Sequence, residues 1–312
     1  MSRIFIIGGC NIDIQGAVNS SLRLRDSNPG EISYSFGGVA RNVAENLAHF
    51  GETVLLISVL GSDVFGENMF QYCKSIGINM DYVLRSETFP SSTYLAILDE
   101  ERDMYTAVVD TAILSLLTND YIDKVLQDVS AEDILVIDTN LDEEIIHYIV
   151  AHSKCPIYMD PISTKKAEKI KGCLNAFYFM KPNRYEAEVL SGLKLETLQD
   201  EKRILDYFVE KGVKEVVISM GEKGVVASNG KEYIRILHDD VTPVNATGAG
   251  DSYMAAYLWA KRSGNEFQDC LEIACAVAIC TILDNETVGR AINCDKIEQV
   301  RKEMNIRGEK IC

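Results

Sequence analysis

The sequence is short of several residue types that would point to particular functions. It holds one tryptophan, six prolines and four histidines in 312 residues. His49, His147, His152 and His238 fall at no metal-ligand spacing, which argues against a zinc centre. The nine cysteines are odd in number and form no Cys-x-x-Cys pair, a pattern that predicts reduced thiols rather than a disulfide framework. Cys270, Cys275 and Cys280 stand five residues apart, which turns successive side chains onto different faces of a helix. They are expected as small core residues, not as metal ligands. Basic residues are also scarce: 31 Lys and Arg stand against 47 Asp and Glu, a net charge of −16. An acidic surface repels phosphodiester backbones and anionic lipid, so neither nucleic acid nor membrane is expected as a partner. A small anion is still allowed where backbone N–H groups and a metal ion overrule the global field. No run reaches the roughly 18–20 apolar residues of a membrane span, and Met1–Gly9 reads as a strand rather than a signal segment. A cytoplasmic protein is expected.

What the chain does have is alternation. Strand-length apolar runs at Arg3–Gly9, Thr53–Val59, Ile134–Asp138, Pro156–Asp160, Phe177–Lys181 and Glu215–Ser219 are separated by segments of helical period. The helical segments include Ser62–Ile76, Glu143–His152, Thr164–Gly172, Asn183–Ser191 and Glu201–Gly212. The order predicts an α/β fold, a mostly parallel sheet covered by helices on both faces. Helices dominate the last part, at Asp251–Ser263, Glu266–Leu283 and Asp295–Met304. Two stretches break the alternation. Residues 12–36 carry the turn Ser27-Asn28-Pro29-Gly30, and Ser92–Val109 reads as a hairpin around Asp99–Asp103. Together they are expected to form a small sheet, a lid drawn from about residues 12–36 and 92–110 of a single domain spanning 1–312.

Four loops carry residues suited to chemistry. In Asn245-Ala246-Thr247-Gly248-Ala249-Gly250-Asp251, glycines precede an apolar run that reads as a buried helix. The open N–H groups of a helix start favour an anion, and an aspartate there can take a proton from a hydroxyl. The same segment also reads as a glycine turn whose aspartate matches the helix dipole. No Lys-Ser/Thr follows the glycines, so this is not a Walker loop. Asn183 and Glu186 in Lys181-Pro182-Asn183-Arg184-Tyr185-Glu186 have capping-box spacing, and equally suit Mg²⁺ and its waters at the carboxyl end of a strand. Ser219-x-Gly221-x-x-Gly224 suits either a plain turn or a nucleotide lying against bare backbone. Asp13, with Gly37-Gly38 and Asn42, makes a clamp for vicinal hydroxyls, or a loop aspartate and a surface asparagine.

In order and spacing these segments resemble the ribokinase-like, or PfkB, carbohydrate and nucleoside kinases. The matching pieces are Gly8-Gly9 with Asp13, Gly37-Gly38-x-x-x-Asn42, Gly61-x-Asp63-x-x-Gly66, Lys181-Pro182-Asn183-x-x-Glu186, Ser219-x-Gly221-x-x-Gly224 and Thr247-Gly248-Ala249-Gly250-Asp251. The resemblance implies a ribokinase-like doubly wound sheet with a β lid. It implies Asp251 as catalytic base and Gly248, Ala249 and Gly250, with the Asp251 amide, as the anion hole. It implies Asp13, Gly37, Gly38, Asn42 and Thr93 on the acceptor, and Asn183, Ser219, Gly221, Gly224 and Thr247 on ATP. Glu186 would serve Mg²⁺ through water. A homodimer through the lid is implied, and a small sugar or nucleoside as substrate. The lid-side segments Asn11–Gly16, Ser27–Ala48 and Thr93–Asp99 are similar to the pseudouridine-phosphorylating branch, which implies transfer to a 5′-hydroxyl. Other sugar or nucleoside kinases and a non-catalytic nucleoside-binding regulator stay as alternatives. Many members carry aspartate where Asn245 stands, which weakens the expectation of a K⁺ site. A nicotinamide-binding oxidoreductase, the third rival given the α/β pattern, is disfavoured because no Gly-x-Gly-x-x-Gly follows the first strand.

Overall fold

A computed structural model of the chain describes residues 2–245, 247–284, 288–289 and 292–311. The strands are β1 (Ile4–Ile7), β2 (Asn11–Val18), β3 (Gly30–Gly37), β4 (Val54–Gly61), β5 (Val83–Ser86), β6 (Thr93–Leu98), β7 (Met104–Asp110), β8 (Ile134–Asp138), β9 (Ile157–Asp160), β10 (Phe179–Met180), β11 (Glu215–Ser219), β12 (Val225–Ser228), β13 (Tyr233–Leu237) and β14 (Arg307–Lys310). The α-helices are α1 (Val39–His49), α2 (Val64–Ser75), α3 (Asn119–Asp128), α4 (Glu143–His152), α5 (Thr164–Ala167), α6 (Arg184–Ser191), α7 (Leu198–Glu210), α8 (Ala249–Arg262), α9 (Phe267–Ile282) and α10 (Cys294–Glu303).

Ten strands form the main sheet, in the order β14-β13-β12-β11-β10-β9-β8-β1-β4-β5. From β5 to β11 all neighbours are parallel, and the β12–β14 edge is antiparallel. The first strand shows why the fold is layered. Its four residues are all fully buried; Ile4 and Ile6 enter one core, Phe5 and Ile7 the other, because successive strand side chains point to opposite faces. The Ile4 face packs on α1, α2, α8, α9 and α10, and the Phe5 face on α3, α4, α6 and α7. The doubly wound arrangement expected from the sequence is therefore present.

The chain leaves β1 towards β4 on one side and later returns as β8 on the other. That reversal opens a crevice at the carboxyl ends of β1 and β8, where open α/β sheets bind ligands. Asp138 closes its floor: its Oδ2 accepts from the N–H of Gly9 at 3.0 Å and of Ala40 at 3.1 Å, tying the end of β1 to the start of α1.

The second sheet has the order β3-β2-β6-β7 and corresponds to the expected lid stretches. β2 pairs with β3 antiparallel and with β6 parallel. Its outer strand β7 is exposed along its whole length. One expected helix differs in form. Thr164–Gly172 is a single α-turn followed by 3₁₀ turns over Glu168–Ala176, broken at Cys173, where φ is −134°. The cysteine reading holds for Cys270 and Cys275, which are buried, whereas Cys280 is half-buried.

Candidate active site

Asp251 sits in the first turn of α8. Ala-rich and buried on nearly all sides, α8 packs between α1 and α9. It starts at Gly248, whose φ of +83° is a left-handed conformation that glycine adopts without strain. Gly248 has no side chain to cap the helix, and no described hydrogen bond takes the first-turn N–H groups of Ala249, Gly250 and Asp251, a helix start of the kind that suits an anion. Lys261 and Arg262 occupy the last turn, matched to the opposite end of the dipole. Ahead of the helix, the Thr247 N–H donates to Asn245 Oδ1 at 2.9 Å. Ala246 lies outside the described residues.

The Asp251 carboxylate is buried, and Asn42 Nδ2 of α1 donates to its Oδ2 at 2.6 Å. No described hydrogen bond occupies Oδ1. Two residues far apart in sequence are thus joined at the mouth of the switch-point crevice. Behind them lies Lys181, the last residue before Pro182. Its Nζ pairs with Asp160 Oδ2 at 3.2 Å, both side chains being buried. A Cβ placed on Gly250 would come within 3.0 Å of that ammonium, so Lys181 lies directly beneath the helix start.

These charges set one another's ionisation. Burial and the neighbouring Asp160 raise Asp251 from 3.8 to about 7, against the opposing pull of Asn42, Lys181 and Arg41. Burial and Asp160 likewise raise Glu186 from 4.5 to about 7. Lys181 is raised: burial alone would lower it, but Asp160, Glu186 and Asp251 outweigh that. Burial lifts Asp13 to about 6, with Arg41 opposing. Carboxyls poised near neutrality in a cleft are suited to proton transfer.

Asp13 lies in β2 opposite Ser35 of β3, and a Cβ on Gly37 would fall 1.9 Å from its Oδ2, so only glycine fits there. Gly38, at φ +96°, presses against the Gly9 carbonyl. Thr93 opens β6 beside Ile12, its hydroxyl donating to Ser91 O at 3.0 Å.

On the other side of the site, Asn183 and Glu186 form a full capping box. Glu186 Oε2 accepts from the Asn183 N–H at 2.8 Å and Oε1 from Asn183 Nδ2 at 2.6 Å, while the Glu186 N–H donates to Asn183 Oδ1 at 3.0 Å. Both glutamate oxygens are thereby fixed at the head of α6. Ser219 pairs with this turn, its N–H donating to Pro182 O at 3.0 Å. Gly221 and Gly224 have φ of +62° and +79°; at Gly224 the need is local, since a Cβ would lie 2.0 Å from Ile236 O. Among the described residues no three His, Cys, Asp or Glu side chains converge on a metal position. The donor set fits Mg²⁺ only as an ion riding on nucleotide phosphates with most of its waters.

Sequence reasoning missed several members of this site. Asn11 is one: its Oδ1 is buried without a hydrogen-bond partner, as is Ser92 Oγ nearby, whose carbonyl accepts from the Ile12 N–H. An orphaned buried acceptor next to Asp13 invites a ligand hydroxyl. The Asn11-x-Asp13 spacing, which puts both on one strand face, was the available signal. Asp160 and the ion-pair role of Lys181 carried no sequence signal.

The geometry combines a buried carboxylate, open helix N–H groups and a cleft at a switch point. Comparison with known proteins gives it a family. The pfkB family carbohydrate kinase profile matches residues 1–291. The chain belongs to that family. It is 34% identical over 273 residues to the pseudouridine kinase of Escherichia coli K12, covering 87% of each chain. It is 29% identical over 296 residues to the guanosine-inosine kinase of Exiguobacterium acetylicum, covering 92% of this chain and 96% of that one. Among solved structures, a carbohydrate kinase from Agrobacterium tumefaciens superposes with a TM-score of 0.87 at 26% identity, over 99% of this chain and all of that one. This pfkB protein is therefore a phosphotransferase with a ribokinase-like fold.

Proposed function

We propose that the chain transfers the γ-phosphoryl group of ATP to the 5′-hydroxyl of pseudouridine. The observation that carries the chemistry is the Asn42–Asp251 contact at the anion-binding start of α8. The similarity to the Escherichia coli pseudouridine kinase supports the acceptor. The similarity to a guanosine-inosine kinase makes purine nucleosides the second reading.

The ribose lies between the lid and the crevice, its hydroxyls on Asp13, Asn42 and the orphaned Asn11 acceptor. Asp251 Oδ1 takes the 5′-hydroxyl proton as that oxygen attacks phosphorus. The amides of Ala249, Gly250 and Asp251 stabilise the spread negative charge, with Lys181 beneath them. Asn183 and Glu186, with Ser219, Gly221, Gly224 and Thr247, line the nucleotide. Mg²⁺ on the phosphates supplies charge neutralisation, and Glu186 would hold it through water. The lid and the main sheet work as one catalytic unit in which the lid excludes water from the transfer.

Ile32, Tyr34, Leu95 and Val108 stand exposed on one face of the lid sheet, adjacent through the β2–β3, β2–β6 and β6–β7 registers. An apolar face of this kind suits a second copy of the chain, and the dimer is proposed to form there. A cytoplasmic setting fits the free thiols of the described cysteines.

The test is ADP release with pseudouridine, uridine, ribose, inosine and guanosine. Preference for pseudouridine in kcat/KM supports the assignment. Preference for inosine or guanosine moves it to the second reading, and a lack of turnover with all five overturns both.

A further inference from the structure

Arg41 is the residue before Asn42, and it is only 2% exposed. A buried guanidinium needs partners for its charge and its donors. Glu45, one turn on, supplies the charge, and Glu45 in turn accepts from the Tyr72 hydroxyl of α2. Nε and Nη2 bond to groups beside the acceptor site. Nε donates to Gly37 O at 3.2 Å, and Nη2 to Phe36 O at 2.6 Å and to Asn42 Oδ1.

The last contact has a directional consequence. Arginine only donates and an ionised carboxylate only accepts. With Arg41 on Asn42 Oδ1, the Asn42 amide group must turn its Nδ2 away, and there it meets Asp251 Oδ2. Donation therefore starts at Arg41, which gives one N–H to Glu45 and another to Asn42, and runs on from Asn42 to Asp251. If the amide reversed, Asn42 would present an oxygen to a carboxylate oxygen.

We propose that Arg41 is the positioning residue of the acceptor site. Through Asn42 it makes the group that faces Asp251 a donor, which ties Oδ2 and leaves Oδ1 for the substrate hydroxyl. Through the Phe36 and Gly37 carbonyls it fixes the turn facing Asp13. The inference rests on Asp251 being the base. Lysine cannot replace arginine here, because one ammonium cannot reach Phe36 O, Gly37 O and Asn42 Oδ1 together.

The experiment compares full-length Arg41→Lys and the double variant Arg41→Met/Glu45→Gln, which leaves neither charge buried alone. Arg262→Met is the control: Arg262 is a half-buried guanidinium bound to Glu52 and Ser2 at the far end of α8. Steady-state kinetics and the pH dependence of kcat/KM are measured on folded protein. The charged groups facing Asp251 are Arg41 from α1, Lys181 ahead of α6 and Asp160 at the end of β9. Both Arg41 variants should lose about 10- to 100-fold in kcat with KM for ATP unchanged, the size of effect expected of a misplaced catalytic group. In the double variant the acidic limb should move to higher pH, because a cation favouring the carboxylate is gone. Arg262→Met should melt earlier and keep kcat. Should the double variant fail to fold, the lysine variant, which keeps the pair with Glu45, still gives the kcat and KM readout. Wild-type kcat and limb in the Arg41 variants overturn the proposal, as does a loss that matches Arg262→Met. Asp251→Asn, assayed alongside, separates the two ideas. If it keeps turnover, the base assignment fails; if it is inactive while the Arg41 variants are normal, only the positioning role fails.

Discussion

Replacing Asp251 by asparagine should stabilise the ligand-free protein, by an amount that grows with pH. A free aspartate titrates near 3.8, and burial beside Asp160 holds Asp251 at about 7. Below pH 4 the native and unfolded chains both carry the proton, and the group contributes no difference. Between pH 4 and 7 the native state retains a proton that the unfolded state has released, so stability falls as pH rises. Above pH 7 the full penalty of a buried carboxylate is present. A gap of about three pH units, at about 1.4 kcal/mol each, sets a ceiling of about 4 kcal/mol. Asparagine carries no charge at any pH, is nearly isosteric, and can still accept from Asn42 Nδ2. Urea denaturation of both proteins should show no gain near pH 4 and a gain of about 1–4 kcal/mol at pH 8. A variant of equal or lower stability at pH 8, or a gain independent of pH, would refute the electrostatic account of this site.

The wild-type kcat/KM should rise with pH through about 6 to 7, because Asp13 and Asp251 must lose protons there, and the limb above pH 6 should be absent in Asp251→Asn. A profile flat from pH 5 to 8 would contradict this. Gly37→Ala drives a Cβ into Asp13 Oδ2 and should raise the acceptor KM at least about tenfold while sparing KM for ATP, as measured by varying each substrate in turn. Glu186→Gln keeps an oxygen for the Asn183 N–H but loses the bond from Asn183 Nδ2; it should cost about 1 kcal/mol of stability in urea denaturation while the Mg²⁺ concentration for half-maximal rate rises. Ile32→Lys/Val108→Lys puts two charges on the exposed lid face and should convert a dimer to monomers in sedimentation.

Much of the architecture was written in local pattern. The apolar runs at β1, β4, β8, β9 and β11 are continuous because a parallel strand covered on both faces has no solvent side. β14 was invisible for the opposite reason: Arg307-Gly308-Glu309-Lys310 is a polar edge held by pairing to β13 rather than by burial. The 3₁₀ turns after Ala167 escaped notice because their apolar spacing, Ile170 to Leu174, is equally that of an α-helix. At the site, Asp251 and Asn42 were legible because glycines mark the turns that bring backbone close to ligand. Asp160 and the ion-pair role of Lys181 were not, since their meaning depends on a contact between the ends of β9 and β10, neighbours in the sheet but about twenty residues apart along the chain. Arg41 stood within a recognised segment, but nothing in its neighbours along the chain says that its guanidinium turns inward to Asn42.

The most direct test of the central claim is the turnover number of Asp251→Asn with ATP and pseudouridine, measured by ADP release on protein shown to be folded. The account predicts a fall of about 10²- to 10⁴-fold with little change in nucleoside binding. Turnover within a few fold of wild type would contradict it.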